Sequence, residues 1–310
     1  MMKLVFFGTP DFSIPSFYAL HKSVHQILAV VTTPDKRSGR GMQFTASPIK
    51  QMAGELAYPI YQPPNLNDDI FLSIMNKIDA DIFVVVAFRI LPEALILLPR
   101  KGAINIHASL LPKYRGAAPI HRAILNGENE TGVTTFQIQK NVDTGDILLQ
   151  KHYRLSKNIT TGEAYDNLAN IGADLIVTTL NQLDKNQLIP TPQNHRIATP
   201  APAISSDDCQ INWNKSAKII HNQIRAFSPR PGAYTYLNSK RVKLFNSKLK
   251  TNSTSSILRP GAIHYTKHCL QIGTGNGVIQ IHEIQLEGKK RMQVDQFVSG
   301  FAQIQGGNFG

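Results

Sequence analysis

The chain has 310 residues but only two cysteines, Cys209 and Cys269. Two thiols cannot make a disulfide framework or a four-cysteine zinc site, so both are expected to be free. His264 and His268 stand close to Cys269, but in a strand-and-turn pattern where their spacing brings no convergence, and no metal is expected there. Long hydrophobic runs are also missing. The apolar stretch at Ile82–Phe88 is far shorter than the roughly 20 residues of a membrane span. Lys3–Phe7 is too short for a signal-peptide core, and Gly8-Thr9-Pro10-Asp11 ends it at once. These features lead us to expect a soluble, cytoplasmic protein with no membrane partner. No third glycine follows the Gly8 turn to open a helix, which argues against a nicotinamide fingerprint. No internal repeat is visible.

Acidic residues are few: 21 Asp+Glu against 33 Lys+Arg, a formal net charge of +12. Residues 1–204 hold 19 basic and 16 acidic residues, net +3, while residues 205–310 hold 14 and 5, net +9. Such asymmetry points to a polyanionic partner for the last third. The hydrophobic fraction of 42% is ordinary for a globular core.

Continuous apolar stretches at Lys3–Phe7, Gln26–Thr32 and Ala80–Phe88 read as buried strands, and Gly102–His107 as another. Asp11 is placed to cap a helix running to about Lys22, and Ser47-Pro48 opens the next. Residues 33–45 read as a polar, basic loop. Further strands are expected at Val133–Gln139 and Asp146–Leu155, then a helix from Thr161 to about Leu183. Strands alternating with helices predict an α/β domain with a mostly parallel, doubly wound sheet over residues 1–187. Residues 188–206, with four prolines, read as a linker. Over 207–310, a helix at Lys215–Ala226 and short alternating strands predict a small β-barrel. Trp213 is expected in its core.

The segment Ile104–Ile120 (INIHASLLPKYRGAAPI) is the most informative. Asn105 and His107 are two apart, so on a strand they share one face, and binding sites of open α/β sheets lie at the carboxyl ends of strands. Capping of the strand end is the alternative for these two polar residues. Asp143, in the turn NVDTGDI (141–147), supplies a carboxylate that can orient an imidazole. The three side chains suit acyl transfer to an amine. Asn105 and His107 would stabilise an oxyanion, and Asp143 would hold the imidazole and assist proton removal.

These segments carry a resemblance. The chain resembles the folate-dependent formyltransferase family over nearly its full length. FFGTPDFS (6–13) is similar to the family's opening strand and turn, and NIHASLLPKYRGAAPI (105–120) with DTGDIL (143–148) to its catalytic and folate-binding segments. IHNQIRAFSPRPGAY (220–234) and GKKRM (288–292) are similar to the C-terminal domain of the branch that acts on tRNA. The resemblance implies a Rossmann-like catalytic domain and an OB-like C-terminal barrel. It implies 10-formyltetrahydrofolate as co-substrate, methionyl initiator tRNA as acceptor, no metal, and a monomer. It also implies that Asn105, His107 and Asp143 are catalytic and that Ser109, Leu110, Leu111 and Pro112 contact folate.

Phe88 and Arg89 belong to the same expected pocket. Ala87-Phe88-Arg89 stands where relatives commonly have Ala-Tyr-Gly, and Arg89 would either close the pocket or reach the folate's glutamate tail. In the basic loop, Lys36, Arg37 and Arg40 offer charge to phosphates. The resemblance makes this loop a wedge at the tRNA acceptor stem, with Arg40 as its key arginine. Met42-Gln43 stand where relatives carry lysines. The rival readings are a sister enzyme acting on a small amine or on water, and a non-catalytic RNA-binding protein. The +9 last third argues against the first, and the intact triad against the second.

Overall fold

The computed structural model describes residues 1–38, 43–250, 258–266, 268–300 and 307–310. The chain forms two compact units. One comprises residues 1–119, 130–154 and 165–202, and the other residues 120–129, 155–164 and 203–310.

The first unit is built on a seven-stranded sheet. Its elements begin with β1 (Lys3–Gly8), α1 (Ile14–His21), β2 (Gln26–Val31), β3 (Lys36–Ser38), β4 (Gln43–Thr45), α2 (Pro48–Glu55) and β5 (Ile60–Tyr61). They continue with α3 (Asp69–Ile78), β6 (Ile82–Val86), α4 (Glu93–Ile96) and β7 (Ala103–His107). After α5 (Pro119–Leu125), which belongs to the second unit from Ile120 on, come β8 (Glu130–Gln137), β9 (Ile147–Arg154) and α6 (Thr161–Asp184), which belongs to the first unit from Tyr165 on. The strand order is β5-β2-β1-β6-β7-β8-β9. The first five are parallel, and the β7–β8 and β8–β9 pairs are antiparallel. This is the doubly wound sheet expected from the sequence. From β1 the chain winds outward to β2, and from β6 it winds the other way to β7. The carboxyl ends of β1 and β6 therefore flank the switch point, where such sheets bind ligands.

The local chemistry explains the elements. Every residue of β6 is buried, as its unbroken apolar run requires. Phe7 packs on Phe83 with ring centroids 5.0 Å apart, tying β1 to β6 in the core. Ser47 caps α2 by accepting from the Lys50 N–H at 3.1 Å, with Pro48 at the first helical position as expected. Asp68 caps α3 in the same way, accepting from the Phe71 N–H at 2.9 Å.

Two local expectations are corrected. Asp11 does not cap α1. It begins a short 3-10 turn, and its carboxylate instead accepts from the Phe12 N–H and the Tyr165 hydroxyl. Residues 33–45 are not wholly loop, since β3 and β4 pair as an antiparallel ribbon. The charge of Lys36 and Arg37 hides a short β-prone stretch whose partner strand carries Phe44 and Thr45. The Arg37 guanidinium lies over the Phe44 ring, 5.2 Å from its centroid.

The second unit contains α7 (Ala217–Ala226) and the strands β10 (Ala233–Leu237), β11 (Lys240–Leu249), β12 (Ile263–Thr266), β13 (Cys269–Gly273), β14 (Val278–Leu286) and β15 (Met292–Gln293), then α8 (Val294–Gly300). The strands form an antiparallel sheet in the order β10-β11-β14-β13-β12, with β15 on β14. Trp213 is core. It is 5% exposed, donates to Thr235 Oγ1 at 3.0 Å and stacks on Phe309. Arg225, on α7, is buried, and among the described residues no carboxylate pairs with it. Its donors go to Asn222 Oδ1 and to the carbonyls of Ile124 and Ile159.

Candidate active site

The alternation of β7 puts Ile104 and Ile106 into the core and sends Asn105 and His107 to the opposite face. Val86 is in register with Ile106, so Ala87-Phe88-Arg89 leave the sheet beside His107. Asn105 is half-buried, and among the described residues nothing hydrogen-bonds its side chain. Its carboxamide is open to a ligand.

His107 is 6% exposed and held by a hydrogen bond at one ring nitrogen. Nε2 lies 2.8 Å from the carbonyl oxygen of Tyr114. A carbonyl only accepts, so the ring donates from Nε2. Nδ1 then faces Asp143 Oδ2 at 3.6 Å, too long for a hydrogen bond. The same Oδ2 accepts from the Gly116 N–H at 2.8 Å. The Phe136 ring meets the imidazole edge-on. Residues 36 apart in sequence are thus brought together by two loops, one following β7 and the other preceding β9.

Both loops hold their groups with unusual backbone. Tyr114 has φ 61° and Asp143 φ 53°, in the left-handed region. A non-glycine residue there costs on the order of 1–3 kcal/mol and persists only when its surroundings fix it. Tyr114 N–H donates to Thr199 Oγ1 at 2.9 Å, Arg115 N–H to the Thr199 carbonyl at 2.9 Å, and Ala118 N–H to the Ala201 carbonyl at 3.1 Å. Gly116 has φ +122°, and a Cβ there would sit 2.7 Å from the Ala201 carbonyl oxygen, so only glycine fits. In the other loop, Gln193 Nε2 donates to the carbonyls of Asp143 and Gly145.

The other residues singled out in the sequence fall as follows. Ser109 is buried, and its hydroxyl donates to the Lys113 carbonyl at 2.7 Å. Leu110 packs against Gly132, and Leu111 is 3% exposed with its N–H on Thr134 Oγ1 and its carbonyl on Gln150 Nε2. Pro112 is half-buried. The run is therefore a turn pinned to β8 and β9.

Phe88 packs edge-on against Phe7 at the carboxyl end of β1. Arg89 lies over the Phe88 ring and donates from Nη1 to the Pro64 carbonyl at 2.9 Å and from Nη2 to the Pro63 carbonyl at 2.7 Å. Its terminal nitrogens are committed to the loop after β5, and burial lowers its pKa. Since β2 and β1 lie between β5 and β6, that loop reaches across their carboxyl ends. Lys36 and Arg37 are exposed on β3, whereas Arg40 lies outside the described residues.

Several contributors were not expected from the sequence. Tyr114 and Gly116 act through backbone groups, which side-chain reasoning does not register. Gln193 carries no sequence signal, since a lone Gln between prolines resembles any linker residue. At the carboxyl end of β1, burial and the Asp11 carboxylate raise the Tyr165 hydroxyl above the usual phenol range.

Comparison with known proteins gives the family. The formyl transferase family matches residues 2–180, and the formyl transferase C-terminal domain family matches residues 203–302. A methionyl-tRNA formyltransferase from Pelotomaculum thermopropionicum is 41% identical over 301 residues, covering 96% of this chain and 96% of that protein. Among solved structures, an N-formyltransferase from Helicobacter canadensis in complex with folinic acid and dTDP-3-aminofucose has a TM-score of 0.69 at 23% identity, covering 91% of this chain and 98% of that one. HypX from Aquifex aeolicus in complex with tetrahydrofolic acid has a TM-score of 0.67 at 17% identity, covering 98% of this chain and 48% of that one. This chain thus spans about half the length of HypX. Both structural likenesses concern the fold.

Proposed function

The chain belongs to the formyl transferase family, and on that premise we propose that it transfers a formyl group from 10-formyltetrahydrofolate to the α-amine of methionyl initiator tRNA, for translation initiation. The observation that supports the chemistry most directly is the convergence at the end of β7. There the carboxamide of Asn105, without a hydrogen-bond partner among the described residues, stands on the same face as an imidazole that meets a half-buried carboxylate.

The amine attacks the formyl carbon, and a tetrahedral oxyanion forms. Asn105 Nδ2 donates to that oxygen, as an oxyanion donor should. His107 acts through Nδ1, since Nε2 is held by Tyr114. Nδ1 takes the proton of the attacking amine, and Asp143 stabilises the resulting imidazolium. The cation then stands beside the oxyanion. On collapse, the bond from carbon to N10 of the folate breaks, and the Nδ1 proton passes to N10. The amine ends as a formamide, and tetrahydrofolate leaves. Ser109–Pro112, Phe88 and Arg89 belong to the folate side of the site in this reading.

Lys36, Arg37 and Arg40 hold tRNA phosphates, aided by the basic last third of the chain. A transfer assay offering methionyl initiator tRNA, uncharged tRNA, free methionine and a nucleotide-linked amino sugar tests the acceptor. Only the first should be formylated at a substantial rate. Formylation of the amino sugar in its place would overturn this reading.

A further inference from the structure

The side chain of Gln193 joins the two loops that carry the chemical centre, although it lies within a proline-rich stretch. It is 6% exposed, and all its hydrogen-bonding capacity is used. Nε2 donates to the Asp143 carbonyl at 3.0 Å and to the Gly145 carbonyl at 2.7 Å. Oε1 accepts from Arg115 Nε at 3.1 Å and Nη2 at 2.6 Å. This arrangement has one orientation. Arg115 can only donate and the two carbonyls can only accept, so a flipped amide would lose all four bonds. A glutamate could satisfy Arg115 but would set oxygen against both carbonyls. Gly145 keeps the turn tight, because a Cβ there would lie 1.7 Å from the Gln137 carbonyl oxygen.

The consequences reach both reacting side chains. The residue before Arg115 gives its carbonyl to His107 Nε2, and the residue after it gives its N–H to Asp143 Oδ2. Holding Arg115 against Gln193 therefore fixes the imidazole, and holding the 143 and 145 carbonyls fixes the carboxylate. Arg115 is also held by His195 Nδ1, 3.1 Å from its Nη2.

We propose that Gln193, together with Arg115, is a positioning element that sets the spacing between His107 and Asp143. The inference rests on the reading of those two residues as the chemical centre. Neither Gln193 nor Arg115 is required to touch the reacting atoms.

The test is steady-state transfer kinetics of Gln193→Met and Arg115→Lys in the full-length protein. Met keeps the length of Gln without its donors or acceptor, and Lys keeps the charge of Arg without the paired N–H groups. His107→Ala and Asp143→Ala are measured alongside. Displacement of a reacting group by about 1 Å is expected to cost on the order of 100-fold in rate. Gln193→Met should lower kcat by about that factor, with KM for folate and for tRNA within about threefold, and should move the inflection of the kcat–pH profile. Arg115→Lys should show the same split at about tenfold, which keeps the test decisive if the first variant does not fold. If both variants that fold keep kcat within twofold and an unmoved pH profile, the inference is wrong, even if their melting temperatures fall. If His107→Ala and Asp143→Ala retain full activity, the failure lies in the proposed chemistry instead.

Discussion

The carbonyl oxygen of Tyr114 accepts the Nε2 hydrogen of His107 at 2.8 Å, leaving Nδ1 as the only ring nitrogen able to exchange a proton with a substrate. A residue in left-handed backbone thereby selects the tautomer of a buried imidazole.

Asn105→Ala and His107→Ala should both act on kcat. Loss of one oxyanion donor costs about 100- to 1,000-fold, and loss of a general base about 100- to 10,000-fold. Affinity for tRNA should stay near native, because neither side chain belongs to the basic segment. Measured kcat together with a direct tRNA titration checks both halves. Near-full transfer by His107→Ala would refute the mechanism.

Gly145→Ala should damage the site through the backbone. The new Cβ would meet the Gln137 carbonyl oxygen, and two backbone segments must part to relieve it. Overpacking of this kind costs typically about 1–3 kcal/mol. Because the turn carries Asp143, kcat should fall along with the urea midpoint. A variant with native activity would show that the turn can move without consequence.

Arg225→Met should destabilise the second unit. The substitution leaves the Ile159 carbonyl and the Asn222 amide oxygen without their donor in a buried setting, while the Ile124 carbonyl keeps the Gly127 N–H at 3.0 Å. Each unsatisfied group costs about 1–3 kcal/mol, so a loss of at least about 2 kcal/mol is expected in urea unfolding. A loss below about 1 kcal/mol would mean that water replaces the guanidinium.

Stability should decline as pH falls below about 6.5. Burial lowers the His25, His121 and His221 imidazoles from their ordinary 6.5. At His25 a contact works in the same direction as burial. Nδ1 must accept from the Met2 N–H, so the neutral ring is the folded form. Below 6.5 the unfolded chain binds protons that the folded chain does not, and stability drops with pH. The Asp35, Asp184 and Asp208 carboxylates act in the opposite window. Their partners hold them below 3.8, so their contribution is present above that value and is lost only in stronger acid. Between pH 6.5 and about 4.5 the histidines therefore decide the sign. The urea midpoint at pH 5.5 should lie below that at pH 7.5, and an unchanged midpoint would count against burial of neutral rings.

Lys36→Ala and Arg37→Ala should weaken tRNA use with little effect on the chemical step. Removing one cation that pairs with a phosphate should reduce the slope of log K against log salt by about 1. Nitrocellulose binding from 50 to 200 mM salt reads that slope. No change in either variant would remove β3 from the tRNA-binding surface.

The parts of the fold that could be read from sequence were those with one-dimensional signatures. The strands β1, β2 and β6 follow from unbroken apolar runs, and α2 from Ser47-Pro48. Asn105 and His107 could be assigned to one face because a strand alternates. The ribbon β3–β4 was obscured by its charges, and Asp11 looked like a cap because nothing in the sequence reveals Tyr165 beside it. The supporting groups were the least legible. Tyr114 and Gly116 contribute only main-chain atoms, whose direction depends on φ values that side-chain chemistry does not encode. Gln193 acts 50 residues from Asp143, and only the folded path of the chain relates them.

The pairing of residues 114–118 with Thr199 and Ala201 also sets a schedule. A ribosome that has released the chain only as far as Leu183 has delivered Asn105, His107 and Asp143, but not Gln193 or Ala201. Joining segments so distant in sequence is slow compared with forming local helices and hairpins. At synthesis rates of about 5–20 residues per second, the two loops wait on the order of a second for the residues that hold them. The nascent protein therefore carries its three polar side chains before it carries a fixed active site, and catalytic competence comes as a late event in its biogenesis.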